Sequence, residues 1–247
     1  MKSQRPSPIV LVHGAWHGGW CWERVAPALQ AAGHRVFTPT LTGLAERAGE
    51  LTRTTGLRTH IADIGAVLED HDLREVILVG HSYGGMVITG VAAALPARVS
   101  TLVYLDAFVP THGQSLMDLL DIALAPEVAK AFKDGFRGAA KEGDSGLMQP
   151  IPAEVFNVAE RNRAWVNRRC RPQALATFEM PVLLSGRQDA IGRRLYILAD
   201  GWDPSPFRHF AAQVDGRPGW TVAKLPVSHD AMVDMPEELA TLLLELA

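Results

Sequence analysis

The chain has 247 residues, of which 47% are hydrophobic and 21% are charged, with a formal net charge of -3. This composition predicts one globular domain with a full core and excludes a disordered or membrane-embedded chain. The weak negative charge gives no electrostatic reason to expect nucleic acid or an anionic membrane as a partner.

The predicted elements alternate between short apolar runs and helical patterns. Several runs are apolar without alternation, which is typical of parallel strands buried on both faces. In chain order, the predicted strands are 8–12, 35–38, 75–80, 101–106, 182–185, 195–199 and 221–225. The predicted helices between them are 22–32, 60–70, 83–95, 206–214 and 236–246. This order predicts an α/β fold with a mostly parallel, doubly wound sheet.

One region interrupts the alternation. From about residue 109 to residue 176 the sequence shows no convincing strand and indicates helices separated by glycine and proline. A stretch of this length without strands is commonly a functional insertion in a compact domain. We therefore predict a single domain over residues 1–247, with a helical cap inserted at about 109–176 over the C-terminal edge of the sheet. Ordinary crossover helices are the alternative.

Two further features bear on the cellular compartment. No apolar run has the length of a signal-peptide core or of a membrane span. The two cysteines, Cys21 and Cys170, are too few for a disulfide framework in a chain of this length. We expect reduced, structural thiols and a cytoplasmic protein.

Ser82 is the candidate nucleophile, because residues 80–84 read GHSYG and fit the pattern G-x-S-x-G. The apolar run before it predicts a strand and the residues after it predict a buried helix, which is the setting that this pattern requires. Such a turn exposes the serine hydroxyl beyond the strand and points the helix N-terminus at the developing oxyanion. A purely structural serine at a strand–helix turn is the alternative.

The candidate oxyanion hole combines two backbone N–H groups. A glycine-containing turn, His13-Gly14-Ala15, follows the first predicted strand and allows a backbone N–H to point into the site. The predicted donors are the N–H of Ala15 and that of Tyr83, the residue after the nucleophile. The alternative is that this turn is only the exit of a strand.

His229 is the candidate general base. Among the histidines near the C-terminus, it alone follows a predicted strand and precedes the last predicted helix. A loop histidine at this point can reach Ser82, whereas His209 lies within a helical pattern. We predict that His81, next to Ser82, points away and has a packing or hydrogen-bonding role.

Several aspartates compete for the role of the acid. Asp106 ends the strand that follows the nucleophile helix, and a charge closing a buried apolar strand is costly unless it has a partner. Asp203 precedes a proline and is explained equally well as a turn or cap residue. We favour Asp106, keep Asp203 as the alternative acid, and place Asp200 third.

Three segments carry a family resemblance: VHGAWHGGWCW at 12–22, GHSYGGM at 80–86 and SHDAM at 228–232. Together they resemble the α/β-hydrolase superfamily, and within it the plant methylesterase and hydroxynitrile lyase family with its bacterial esterase relatives, which include pyrethroid-type ester hydrolases. The likeness spans nearly the whole chain and is weakest in the predicted cap. It implies the α/β-hydrolase fold and a Ser-His-Asp enzyme that needs no cofactor, with a helical cap over a largely apolar pocket.

The sequence departs from that family at two points. Lyases of the family carry a lysine after the catalytic histidine, whereas Asp230 occupies this position here, so lyase activity is disfavoured. The usual acid of the family falls in the loop around Gly201-Trp202, where the best-matching position is not a carboxylate. This gap supports Asp106, at a strand position that some other α/β-hydrolases use.

These observations predict a serine hydrolase that cleaves a small hydrophobic or aromatic carboxylic ester through an acyl-enzyme. We expect a small-molecule ester as the partner, no nucleic acid, no membrane, no cofactor and no metal; a homodimer is an open alternative. A carbon–carbon lyase and a non-catalytic small-molecule receptor of the same fold remain alternative functions. The candidate pocket residues are Trp16, Trp20, Met86, Trp165 and Met232.

Overall fold

The structure is a computed structural model that describes residues 6–52, 54–142 and 146–246. The strands are β1 (Ile9–Val12), β2 (Val36–Phe37), β3 (Val76–His81), β4 (Val99–Leu105), β5 (Leu147–Met148), β6 (Gln173–Ala174), β7 (Arg193–Ala199) and β8 (Trp220–Leu225). The helices are α1 (Ala26–Ala31), α2 (Leu57–Asp70), α3 (Gly84–Ala94), α4 (Leu116–Ala123), α5 (Pro126–Glu142), α6 (Glu160–Arg169), α7 (Ala176–Glu179), α8 (Phe207–Val214), α9 (Ala231–Asp234) and α10 (Pro236–Leu244). Short 3-10 helices lie at Gly19–Trp22, Ala45–Glu50, Pro96–Arg98 and Arg187–Ala190.

Within the described ranges, the main sheet is parallel and has the order β2-β1-β3-β4-β7-β8. The predicted α/β-hydrolase fold with a mostly parallel sheet is confirmed. β3 lies near the middle, and all six of its residues are buried, as its unbroken apolar pattern predicts. Val12 pairs with Gly80 and His81 pairs with Leu105, so β1, β3 and β4 end at one edge of the sheet. The three loops that leave these strands therefore begin side by side.

The predicted strand at 182–185 is wrong. Val182 exchanges hydrogen bonds with a loop, since its carbonyl accepts from Gly113 N–H at 2.9 Å and its N–H donates to the Gln114 carbonyl at 2.9 Å. β4 pairs instead with β7, and Leu183 is 58% exposed. The backbone N–H and C=O groups of a short apolar run need hydrogen-bond partners, and those of Val182 find them in this loop instead of in the sheet.

The chain leaves the main sheet after β4 and returns to it at β7. Between these strands lie α4, α5, α6 and α7, together with the two-residue strands β5 and β6, which pair antiparallel. The sequence pattern did not indicate this short pairing. The division into one domain with a helical cap at 109–176 stays a prediction, and residues 143–145 of that segment lie outside the described residues.

Cys21 and Cys170 are both free and buried. In the part of the chain that the structure describes, no helix combines the length and the apolar character that crossing a bilayer requires.

Candidate active site

Ser82 follows β3 directly and precedes α3, at the C-terminal edge of the sheet. Its φ is 54°, in the left-handed region that a non-glycine residue adopts only under constraint. The turn is also tightly packed, because a Cβ at Gly80 would lie 2.6 Å from the Gly84 carbonyl oxygen. A Cβ at Gly84 would lie 2.9 Å from the Val12 carbonyl oxygen. The glycines of the G-x-S-x-G pattern therefore permit a strained turn that brings Ser82 into the wall of a cavity.

The loop after β1 reaches the same cavity through Ala15, and Tyr83 lines it as well. Within the described residues, the N–H groups of Ala15 and Tyr83 donate to no protein acceptor. The loop is fixed by His13, whose Nδ1 donates to the Gly14 carbonyl at 2.8 Å while its Nε2 accepts from Leu41 N–H at 3.1 Å. Burial lowers the pKa of His13 to about 3, so the ring is neutral and serves as a hydrogen-bonding brace.

His229 lies in the loop between β8 and α9 and lines the cavity together with Ser82. Its Nδ1 donates to Asp106 Oδ2 at 2.7 Å, which leaves Nε2 as the unprotonated nitrogen. Both side chains are buried. Burial lowers the pKa of His229 to about 4, so the imidazole is neutral near pH 7 and able to accept a proton.

Asp106 directly follows β4 and is fully buried. Besides the bond from His229, its Oδ2 accepts from Trp202 Nε1 at 2.9 Å, and its Oδ1 accepts from Ala199 N–H at 3.1 Å. Burial raises the pKa of the Asp106 carboxyl, and the hydrogen bonds from Trp202 and Ala199 oppose that rise. All three partners are N–H donors, so the arrangement is complementary to a carboxylate.

The alternative acids lie elsewhere. The Asp203 side chain is 75% exposed and pairs with Arg208 at 3.3 Å. Asp200 also pairs with Arg208. Neither carboxylate contacts His229 among the described residues. The loop after β7 instead supplies Trp202, whose indole donates to Asp106.

A second buried polar group lies next to the candidate base. His17 Nε2 is 3.3 Å from Asp230 Oδ2, and His17 Nδ1 donates to the Ala15 carbonyl at 2.7 Å. Burial alone would lower the pKa of His17, but the Asp230 carboxylate raises it; the same pairing holds the pKa of Asp230 below its ordinary value despite burial. His81 Nε2 donates to the His229 carbonyl at 3.0 Å. These contacts join the loop of the candidate oxyanion hole to the loop of the candidate base, a connection that sequence reasoning missed.

The cavity at Ser82 has a free volume of about 70 Å³ and is walled almost entirely by apolar side chains. Among its lining residues none carries a lysine, arginine or carboxylate side chain. The apolar walls comprise Trp16, Phe108, Leu116, Leu120, Leu124, Phe132, Phe136, Ile151, Val155, Phe156, Phe178, Trp202, Pro204, Pro206 and Phe207. In the described residues there is no group of histidine, cysteine and carboxylate side chains that could hold a metal ion.

The structure brings together only part of the predicted pocket. Trp16 lines the cavity, whereas Met86 is buried in α3 and Met232 is buried in α9, and neither is among the lining residues. Trp20 and Trp165 make an edge-to-face contact with their ring centroids 5.0 Å apart, and neither lines the cavity. Most of the aromatic lining comes from segments distant in sequence, and sequence reasoning did not identify it. The phenylalanines scattered through the predicted cap were the available signal.

Comparison with known proteins agrees with the fold. The sequence model described as the alpha/beta hydrolase family matches residues 9–242. A carbendazim hydrolyzing esterase from Nocardioides sp. (strain SG-4G) is 62% identical over 232 residues, which cover 94% of this chain and 96% of that esterase. Methylesterase 10 from Arabidopsis thaliana is 27% identical and covers 100% of this chain and 94% of its own. A solved pyrethroid hydrolase from Sphingobium faniae JZ-2 matches with a TM-score of 0.76 at 25% identity, over 97% of this chain and 96% of that one.

Proposed function

The chain belongs to the alpha/beta hydrolase family and is an ester hydrolase, and we propose that it cleaves small aromatic or hydrophobic esters through an acyl-enzyme on Ser82. The observation that carries this proposal is the 2.7 Å hydrogen bond from His229 Nδ1 to Asp106 Oδ2, because His229 lines a cavity together with Ser82. Nucleophile, base and orienting acid are the three roles that such an enzyme requires.

In the proposed reaction, Ser82 Oγ attacks the ester carbonyl carbon while its proton passes to His229 Nε2. Asp106 holds the imidazole in the tautomer that accepts this proton and balances the imidazolium that forms. The N–H groups of Ala15 and Tyr83 donate to the oxyanion of the tetrahedral intermediate. His229 then protonates the departing alcohol, and water activated by the same nitrogen hydrolyses the acyl-enzyme.

The lining of the cavity supports an uncharged, apolar substrate. Its aromatic walls offer favourable contacts to a flat ring, and no charged side chain lines it to pair with an ionic group. Because a 62% identical relative is a carbendazim hydrolyzing esterase, carbendazim is the first compound to test. We propose that methyl esters of aromatic acids form the wider substrate class, since several relatives are methylesterases.

The test combines covalent labelling with pre-steady-state kinetics. A fluorophosphonate should label one peptide, the one that contains Ser82, and p-nitrophenyl acetate should give a burst of p-nitrophenol followed by slower turnover. Ser82→Ala should abolish both signals while its thermal unfolding stays close to that of the wild type. Full hydrolysis by Ser82→Ala, or labelling at another residue, would contradict the proposed nucleophile.

The carbon–carbon lyase alternative is not favoured by the arrangement of the site. The residue after the candidate base, Asp230, is fully buried and directed at His17, so it presents no cation to the cavity. Incubation with mandelonitrile, with detection of released cyanide, should therefore give no signal above that of Ser82→Ala.

A further inference from the structure

A second apolar cavity, largely open to solvent, lies beside the active-site cavity on the surface of α5. It has a free volume of about 590 Å³ and is lined by α5 and by the segment from Met148 to Pro152. Three side chains line both cavities: Phe132, Phe136 and Ile151. These three residues, which we call the partition, are therefore what separates the two spaces.

The volumes indicate what the partition does to a substrate. The active-site cavity has a free volume of about 70 Å³, against about 590 Å³ for the second cavity, so most of the free space lies beyond the partition. Val155 lines the same cavity and is 48% exposed, so one part of a bound ester can extend to solvent at that edge. A substituent that points towards Phe132, Phe136 and Ile151 meets the partition, and the larger free volume lies behind it.

The three side chains of the partition differ in how tightly they are packed. The Phe136 ring packs against Phe178 and Trp16, with centroid distances of 5.3 Å and 6.1 Å. Phe132 packs against Phe136 at 6.0 Å and is only partly buried, as is Ile151. Loss of the Phe132 ring should thus open the partition without dismantling the aromatic cluster around Phe136.

The floor of the second cavity is made of small residues on one face of α5. Ala131, Gly135 and Ala139 follow one another at intervals of four and line this cavity but not the active-site cavity. Gly135 lines this cavity, and a Cβ built on it meets no atom within 4 Å, so a larger side chain can be placed there without a clash. The protein therefore offers one position that should open the partition and another that should fill the space behind it.

We propose that the partition, and Phe132 above all, sets the upper limit on the length of the apolar group that the enzyme accepts. The occupant of the second cavity, once the partition is opened, is the far end of the alkyl or aryl group of the ester. This inference rests on the proposed ester hydrolysis, and it makes Phe132 a specificity-determining residue with no part in the chemical step.

The test measures kcat/KM for two ester series, p-nitrophenyl alkanoates from acetate to decanoate and benzoate esters of alcohols from methanol to octanol. Wild type should lose activity as the chain grows in the series whose variable group faces the partition. In that series we call the kcat/KM of the long esters divided by that of the short esters the long-to-short ratio. Phe132→Ala should raise this ratio by about tenfold or more, because a few methylene groups in an apolar pocket change kcat/KM by at least that factor. Ile151→Ala should shift the ratio in the same direction.

Phe132→Ala/Gly135→Leu is the decisive variant, because it opens the partition and fills the space behind it. Its long-to-short ratio should return towards that of the wild type, and thermal unfolding of Gly135→Leu alone should show that α5 accepts the larger side chain. Lys130→Ala, at an exposed position of the same helix, is the matched control and should change neither ratio.

The outcomes separate this inference from the function on which it rests. If the wild type hydrolyses no short ester, the proposed function fails. If the wild type is active but neither Phe132→Ala nor Ile151→Ala shifts the ratio in either series, the partition does not limit substrate length and the inference is overturned. A uniform loss of activity at every chain length would overturn it equally.

Discussion

Replacement of Asp106 by asparagine should lower kcat by about a thousandfold. In the wild type, Oδ2 accepts from His229 and Trp202, and Oδ1 accepts from Ala199 N–H. An asparagine keeps two of these three bonds if its oxygen occupies the Oδ2 position, and only one if it is flipped. The first orientation is therefore favoured, and it preserves the His229 tautomer while removing the negative charge.

The magnitude follows from the charge that is lost. An imidazolium and a carboxylate whose charge centres lie about 4 Å apart attract each other by about 4 kcal/mol at an effective dielectric constant of 20. This attraction is present only after His229 has taken the Ser82 proton, so its loss raises the barrier rather than weakening substrate binding. At 1.36 kcal/mol for each factor of ten, about 4 kcal/mol corresponds to a factor of about 10³ in kcat with little change in KM.

The assay compares kcat and KM for p-nitrophenyl acetate in wild type, Asp106→Asn and Asp203→Asn. Asp203→Asn is the matched control, because Asp203 is exposed and Arg208 is its one side-chain partner among the described residues; its kcat should stay within about twofold of the wild type. If Asp106→Asn retains more than a tenth of the wild-type kcat, or if Asp203→Asn falls as far, Asp106 is not the acid.

Three further predictions follow from the buried histidines and from the Asp230 carboxylate. Asp230→Asn removes one partner of a buried ion pair with His17 and should lower the free energy of unfolding, measured in urea, by about 3–5 kcal/mol; a change below about 1 kcal/mol would contradict the pairing. Burial lowers the pKa of His13 to about 3 and that of His60, a buried residue of α2, to about 4. Between pH 6.5 and pH 4 the unfolded chain therefore binds more protons than the native one, and the free energy of unfolding should fall by about 3 kcal/mol for each ring as the pH is lowered over this range. Urea midpoints that do not change over this range would refute that reasoning. Burial also lowers the pKa of His229 to about 4, so kcat/KM of protein that is still folded should have its acid limb near pH 4 instead of near 6.5.

Local signals in the sequence were sufficient for the fold and for two of the candidate catalytic side chains. Three neighbouring features of the chain each indicated one structure: the apolar run of β3 a buried strand, the glycines around Ser82 a tight turn, and the pattern after it a helix. His229 could be selected because it lies between a strand and a helix near the C-terminus. These inferences needed only periodicity and turn chemistry, which act over a few residues.

The candidate acid and the shape of the pocket depend on contacts between distant segments. Asp106 meets His229 across 123 residues of sequence, and it is also bonded by Trp202 from the loop after β7. That juxtaposition exists because β4 and β7 are neighbours in the sheet, whereas the run at 182–185, which the sequence pattern indicated as a strand, lies outside it.

Local sequence patterns thus specified the kinds of chemical group and the turns that present them. Tertiary packing decided which carboxylate the imidazole contacts, which phenylalanines enclose the substrate and what lies behind Phe132. The physical reason is that a buried charge or ring is stabilised by whatever surrounds it in space, and those surroundings come from the order of the strands and the placement of the helices between β4 and β7.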